Sequence, residues 1–388
     1  MSKQAPRVPM YTQIRDYILD NIKQQVWKPD DRLPSENELA KQFKVSRITV
    51  KNALSELTES GLIYRVQGKG SFVSSSERGE PQLYESEPAS DEKPLVAFMM
   101  PWLSNMFTAR ILSGIEEYLS AHGHHLIFAK THDSQAQEKD VIKRMLQLNV
   151  KGIIIFPVEE QTYNEDILRL TMNQFPIVLV DRYFRGIDTN CVYSDNTDGA
   201  YRAVKHLLEL GHTRIGVLST RSYGTTSIED RLLGYDKALA EHHIPVDHRL
   251  KLEHFNNEKM NTILDTNAVD PDYKEEIKAF LRSHPDMTAI FTINSATVYT
   301  LLEAAKELQL RIPEDLSVVS YDYDPHPVAS IALSHVRQDE HRLGTEAARL
   351  LLSVIANPKQ ERQNIVLSPN LNLLDSTAAL VVPRKDEL

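Results

Sequence analysis

The chain has 388 residues, 41% of them apolar and 25% charged, which is room for two or three domains with a large core. A net charge of −10 argues against a protein that coats nucleic acid indiscriminately, and a lone cysteine, Cys191, excludes an intrachain disulfide and fits a reducing compartment. The charge is uneven: residues 1–73 hold 7 Lys and 5 Arg against 8 Asp/Glu, about +4, leaving about −14 for the rest.

MSKQAPRVPMYTQI contains no apolar run of signal-peptide length, and no later segment reaches a membrane span, so the expected compartment is the cytoplasm. The closing Lys385-Asp386-Glu387-Leu388 spells an endoplasmic-reticulum retention address that, without an entry signal, reads as chance.

In chain order, Ile14, Ile18 and Ile22 predict an amphipathic helix over 10–25. Ser35 and Glu38 make a Ser-x-x-Glu capping box that opens a second helix, with Leu39, Ala40 and Phe43 turned inward. Val45-Ser46 forms a turn, and Ser46 caps a third helix that buries Val50, Ala53, Leu54 and Leu57 and stops at Gly61. Leu62–Val66 and Ser71–Val73 then flank Gln67-Gly68-Lys69-Gly70 as a small hairpin. This order is that of a winged helix-turn-helix, whose third helix enters the DNA major groove with Arg47, Thr49, Lys51 and Asn52 at its leading end. Arginine suits guanine O6 and N7, and threonine suits a thymine methyl.

Residues 75–93 are polar, proline-bearing and acidic and read as a flexible linker. From 94 onward apolar strands alternate with helices. Strands are expected at 95–100, 125–129, 152–156, 177–181, 191–194, 214–219, 289–293 and 316–320. Helices are expected near 108–121, 136–148, 163–173, 198–210, 229–241, 273–283, 295–308 and 340–356. Such spacing means right-handed βαβ units and parallel sheets. Residues 253–275 are polar and irregular and read as an excursion at one edge, while Cys191, beside Val192 and Tyr193, is expected as a buried inert thiol in a strand.

Residues 10–73 resemble the DNA-binding domain of the GntR family, whose signature runs close to LPSExELAxxxxVSRxTVxxALxxLxxxGLxxxxxGxGxFV. By that resemblance Arg47, Thr49 and Lys51 take recognition-helix contacts and Gln67, Gly68 and Lys69 wing contacts; Ser35, Asn37 and Ser46 complete the expected DNA-binding set. Many members carry Arg at the positions of Asn37 and Lys51, and a lysine favours phosphate over bidentate guanine contact.

Residues 94–388 resemble the LacI-type sensor of periplasmic-binding-protein fold. The resemblance runs through GIEEYLSAHGH (114–124), KGIIIFP (151–157), IVLVDR (177–182), SDNTDGAYRAVKHLLELGHTRIGVLS (194–219), RLLGY (231–235), LRIPEDLSVVSYDYDP (310–325), RQDEHRLGTEAARLLL (337–352) and SPNLNLLDSTA (368–378). A GntR-type head on such a body is similar to the AraR-like subfamily.

The implied fold is α/β: an N-terminal winged helix-turn-helix (1–74), the linker, and a two-lobed sensor of parallel α/β lobes. Lobe 1 is expected over about 94–196 and 339–367, lobe 2 over about 197–338 and 368–388. The implied site lies in the cleft at the strand ends. It needs charged groups that bracket paired hydroxyls and aromatic faces for sugar C–H surfaces. The resemblance places Phe107, Arg182, Arg231, Asn294, Asp322 and Gln338 there, with Trp102 at the first strand's end and Asp181 beside Arg182. Plainer roles exist for two of them: Asp181 as a support for Arg182, and Trp102 in packing or at a dimer surface.

The implied function is a dimeric, sequence-specific transcriptional regulator, a repressor on a palindromic double-stranded operator, released by a monosaccharide-like effector. A phosphorylated sugar or nucleobase, a corepressor role and activation stay open. A sugar-transport binding protein has no use for the head. An enzyme is not expected, because no nucleophile elbow, P-loop, metal cluster or pyridoxal-phosphate lysine context is present. No cofactor or metal is expected, since His122, His124, His125, His242 and His243 fit no zinc spacing.

Overall fold

The computed structural model describes residues 10–66, 69–74, 93–158, 162–221, 224–266, 268–324 and 331–380. They fall into two compact units, Met1–Glu92 and Lys93–Leu388. Among the described residues no helix is long and apolar enough to cross a membrane.

The first unit packs α1 (Met10–Lys23), α2 (Glu36–Phe43) and α3 (Arg47–Glu59) beside the hairpin β1 (Ile63–Val66) and β2 (Gly70–Val73). Ile14 and Ile18 meet Leu39, Val50, Leu54 and Leu57 in one core, so each helix contributes its apolar stripe. Local chemistry sets where the helices start. Ser35 Oγ accepts from the Glu38 N–H while the Glu38 carboxylate accepts from the Ser35 N–H. Lys44, at φ 54, turns the chain out of α2, and Ser46 Oγ accepts from the Thr49 N–H to open α3. The hairpin is antiparallel, with Ile63 opposite Val73 and Val66 opposite Gly70.

The second unit holds two six-stranded sheets. The first contains β3 (Leu95–Met100), β4 (His125–Lys130), β5 (Gly152–Ile155), β6 (Ile177–Val180), β7 (Cys191–Ser194) and β13 (Asn364–Leu367), in the order β13-β7-β6-β5-β3-β4. The second contains β8 (Ile215–Thr220), β9 (Lys251–Phe255), β10 (Ala289–Thr292), β11 (Ser317–Tyr321), β12 (Ser334–Arg337) and β14 (Asn370–Asn372), in the order β14-β12-β11-β10-β8-β9. Every pairing is parallel except β12 with β14. The central strands β5, β6 and β10 are wholly buried, as helices on both faces require.

Helices α4 (Met106–Ala121), α5 (Gln135–Gln147), α6 (Glu165–Met172) and α12 (Glu340–Ala356) flank the first sheet. Helices α7 (Asn196–Glu209), α8 (Thr226–Glu241), α9 (Asn257–Thr266), α10 (Pro271–Ser283) and α11 (Ser295–Glu307) flank the second. The chain passes between sheets three times: from β7 to α7, from β12 to α12, and from β13 to β14.

The 253–275 stretch is ordered, which corrects its reading as an irregular excursion. It contains the end of β9, all of α9 and the start of α10, and it sinks Phe255, Met260 and Ile263 into the second sheet's core. Its few apolar residues are spaced to land on one side, so a polar average concealed a regular pattern. Strands β9, β12, β13 and β14 were also not expected; all have five residues or fewer, and β12 and β14 carry one apolar residue each.

One contact fixes how the last long helix docks. A Cβ on Gly114 of α4 would stand 2.1 Å from the His341 carbonyl oxygen, and one on Gly344 of α12 would stand 2.1 Å from that of Ile111. The two backbones therefore touch through paired glycines, and any side chain must prise them apart. Gly114→Ala should destabilise the chain by about 1–3 kcal/mol through overpacking. A thermal or urea melt of the full chain checks this, and an unchanged midpoint contradicts the docking.

Candidate ligand cleft and nucleic-acid interface

The carboxyl ends of the two sheets' strands meet at one cavity of about 90 Å³, lined by residues from both lobes. Lobe 1 supplies Trp102, Asn105 and Phe107 after β3, Phe156 after β5, and Asp181 and Arg182 after β6. Lobe 2 supplies Ser227, Ile228 and Arg231 from α8, Leu264 from α9, Asn294, Ser295 and Ala296 after β10, and Asp322 and Asp324 after β11. Seven of the eight residues expected there thus line one space. Gln338 lies behind it: its amide donates to both Asp322 oxygens, at 3.0 and 2.9 Å.

The two lobes place their acids alike. Asp181 and Asp322 each follow a buried strand in the left-handed region, at φ 68 and φ 59. Each still donates its N–H to the neighbouring strand, Asp181 to Val192 O and Asp322 to Val336 O, both at 2.9 Å. A non-glycine residue held there is strained, and the ladder bond keeps it there.

Arg231 is 6% exposed yet well partnered. Its Nε donates to Asn196 Oδ1 at 2.9 Å and one terminal nitrogen donates to Ile293 O at 3.0 Å. The guanidinium lies 3.8 Å from the Tyr321 ring centroid and 3.7 Å from Asp322. On the other wall Arg182 donates to Pro157 O at 2.8 Å, sits 3.8 Å from Asp181, and is bracketed by Phe156 and Trp102 at 4.7 and 5.4 Å. Both cations are locked, leaving little rotamer entropy to lose on binding.

Burial dominates the acids. It pushes Asp322 up to about 7, against the pull of Arg231 and the Gln338 hydrogen bonds. It also raises Asp181, against Arg182 and Arg231. Asp181 Oδ1 is buried with no hydrogen-bond partner among the described residues. Asp324 is raised too, again by burial, against the pull of Arg110, His335 and Arg337. Behind Arg182, Glu138 is buried and raised, receiving Asn164 Nδ2 at 2.7 Å and the Val158 N–H at 3.1 Å. Asn294 Oδ1 accepts from the Thr297 N–H at 3.0 Å to cap α11, which leaves its NH₂ as the remaining polar group.

Sequence reasoning missed Asn105, Phe156, Asp324 and Leu264. Phe156 and Asp324 follow strand ends, so the rule that found Asp181 reaches them; Leu264 was hidden by the misread 253–275 stretch. Among the described residues no group of three His, Cys, Asp or Glu side chains is placed to hold a metal. Cys191 is buried, with burial pushing its thiol up to about 12.

In the first unit, Arg47, Ile48, Lys51 and Asn52 are exposed at the leading half of α3, with Ile48 71% exposed. Thr49 is half-buried, its hydroxyl 2.9 Å from Ser46 Oγ. Ser35 and Ser46 spend their hydroxyls on helix starts, while Asn37 stands exposed on α2. Glu36 sits 3.9 Å from Arg47 and 3.5 Å from Arg65. Lys69 is exposed; Gln67 and Gly68 lie outside the described residues.

Residues 10–73 match the family described as bacterial regulatory proteins, gntR family, and residues 204–377 match the periplasmic binding protein-like domain. The chain is 28% identical to the arabinose metabolism transcriptional repressor of Geobacillus stearothermophilus, covering 95% of this chain and 98% of the relative. It is 29% identical to the protein of the same name from Halalkalibacterium halodurans, covering 95% and 96%. Among solved structures, a putative ribose operon repressor from Burkholderia thailandensis superposes with a TM-score of 0.61 at 26% identity, covering 73% of this chain and 99% of that one. Residues 10–73 are a DNA-binding head of the kind found in the gntR family of bacterial regulatory proteins, and residues 204–377, later in the chain, match a periplasmic binding protein-like domain: the chain is a DNA-binding transcriptional regulator, not an enzyme.

Proposed function

We propose that the protein is a cytoplasmic, homodimeric repressor that binds a palindromic operator and releases it when a monosaccharide fills the cleft. In this reading residues 1–74 read DNA, 75–93 link, and 94–388 sense, with lobes divided at the three crossings. Arg47, Thr49 and Lys51 meet the major groove, Gln67, Gly68 and Lys69 the wing's groove or phosphates, and Ser35, Asn37 and Ser46 the surrounding backbone.

The carrying observation is the composition of the cavity wall. Two locked guanidiniums, three carboxylates, two amides and aromatic rings surround about 90 Å³. A neutral polyol offers donors to Asp181, Asp322 and Asp324 and acceptors to Arg182, Arg231 and Asn294. Trp102 and Phe107 offer apolar faces to its C–H groups, and Gln338 steadies Asp322. A phosphate could bind only by holding these already raised carboxyls protonated, and so is disfavoured above about pH 7. The relatives named for arabinose metabolism and a ribose operon direct the choice to pentoses. Occupancy would favour one lobe arrangement, and through it the spacing of two reading heads on one duplex.

Thermal-shift titration of the full chain with L-arabinose, D-ribose and ribose 5-phosphate tests the reading. A neutral pentose should raise the midpoint and the phosphate should not; the reverse order refutes it. Arg231→Ala should keep operator binding and lose release by the stabilising sugar, followed by electrophoretic mobility shift. Arg47→Ala should cost about 1–3 kcal/mol of affinity for an operator selected from a random duplex library.

The Asp322 carboxyl adds a pH dependence. Sugar hydroxyls donate to the ionised form, so binding expels the proton. Affinity should fall as pH drops below about 7, approaching tenfold per pH unit. Asp322→Asn should flatten that slope in calorimetric titrations at pH 6 and 8. For folding the sign is opposite. Between the ordinary 3.8 and about 7 the folded chain holds a proton that the unfolded chain lacks, so this group alone lowers stability as pH rises through that window.

A further inference from the structure

Beyond the cavity wall, the lobes are tied by groups that no sugar-binding role accounts for. The turn after β6 continues from Asp181 and Arg182 into Tyr183, Phe184 and Arg185. It is rigidly part of lobe 1: Tyr163 Oη accepts the Arg185 N–H at 2.7 Å, and the Tyr163 ring stacks on Phe184 at 4.2 Å. From this turn five bonds reach α8 of lobe 2, the weakest from the Arg185 guanidinium to Glu229 Oε2 at 3.4 Å. The Tyr183 N–H donates to Thr226 Oγ1 at 3.2 Å, and that hydroxyl donates to Tyr183 O at 3.1 Å. Tyr183 Oη donates to Asp230 Oδ2 at 2.9 Å, and the Arg185 guanidinium donates to Asp230 Oδ1 at 2.8 Å. Asp230 is 7% exposed, so both of its oxygens are taken up across the lobe boundary.

The placement is what gives these bonds a role. Tyr183 adjoins Arg182, and Asp230 adjoins Arg231, so the tie joins the backbones that carry the two pocket cations. None of the bonds requires a ligand atom.

We propose that Tyr183, Arg185, Thr226 and Asp230 form an inter-lobe clasp that holds Arg182 and Arg231 at their facing positions before an effector arrives, so that affinity and the threshold for release depend on residues that never touch the effector. They are positioning residues. The inference rests on the reading of the cleft as an effector site, but the clasp itself is measurable without any sugar.

Hydrogen–deuterium exchange on the full chain, sugar-free, compares wild type with the double variant Tyr183→Phe/Arg185→Gln and with Arg169→Gln. The last removes another exposed lobe-1 cation, whose ion pairs among the described residues lie within α6. The double variant should exchange about 5- to 10-fold faster over residues 181–187 and 225–231, with Arg169→Gln at wild-type rates. Unchanged exchange in the double variant overturns the clasp. If the double variant melts early, Thr226→Val, which keeps the volume and removes the hydroxyl, carries the same comparison. Titration with L-arabinose forms the second arm. Its Kd should weaken about 3- to 10-fold in the clasp variants, in proportion to the lost population of the aligned state. Faster exchange with an unaltered Kd overturns the positioning role. A wild-type chain that binds no pentose counts against the proposed effector, while the exchange comparison still decides the clasp.

Discussion

Two guanidiniums held out of water on facing walls of one cleft govern the chemistry around them. A cation at 6% exposure must be surrounded by acceptors or it would not stay charged, and that need orders its neighbourhood. Around Arg231 it explains why Asn196 turns its carbonyl inward, why Ile293, just past β10, points its oxygen at the guanidinium, and why Tyr321 offers a ring face. Around Arg182 it explains the Pro157 carbonyl and the bracket of Phe156 and Trp102. The cost of burial is taken up by the acids, which are driven toward their neutral forms. A neutral, hydroxyl-rich guest completes such a site without adding charge.

The architecture makes this arrangement available at little further cost. Parallel strands end in loops on one side of a sheet, and three passages of the chain bring two such sides face to face. Left-handed aspartates after β6 and β11 aim one carboxylate from each sheet into the shared space. The same passages leave the lobes otherwise separate, so bonds such as Tyr183 to Asp230 have room to determine how they meet.

Much of this was readable along the chain, for physical reasons. Capping boxes are local, so Ser35 with Glu38 and Ser46 before Arg47 marked helix starts within a residue. The likeness to the LacI-type sensor located Arg182, Arg231 and Asp322, and the apolar run giving way to charge at 177–182 put Asp181 and Arg182 at a strand end. What stayed hidden depends on partners distant in sequence. Gln338 supports an aspartate 16 residues away and does not line the cavity, and Asp230 meets Tyr183 47 residues earlier. Helix α9 was obscured because Met260, Ile263 and Leu264 are sparse among polar neighbours, although they fall on one face. No pattern in a single strand reports which lobe its neighbour belongs to.

The paired-glycine seam between α4 and α12 carries a consequence for how the molecule is made. The first lobe's sheet gains its outer strand β13, and its helix layer gains α12, only from residues 340–367. As the ribosome works from the N-terminus, the half that emerges first stays open along one side until nearly the whole chain has appeared. The later half, by contrast, lacks only the short strand β14. The order of synthesis and the order of completion are thus reversed, and the nascent first lobe waits with its α4 groove uncovered for the return of its own distant helix.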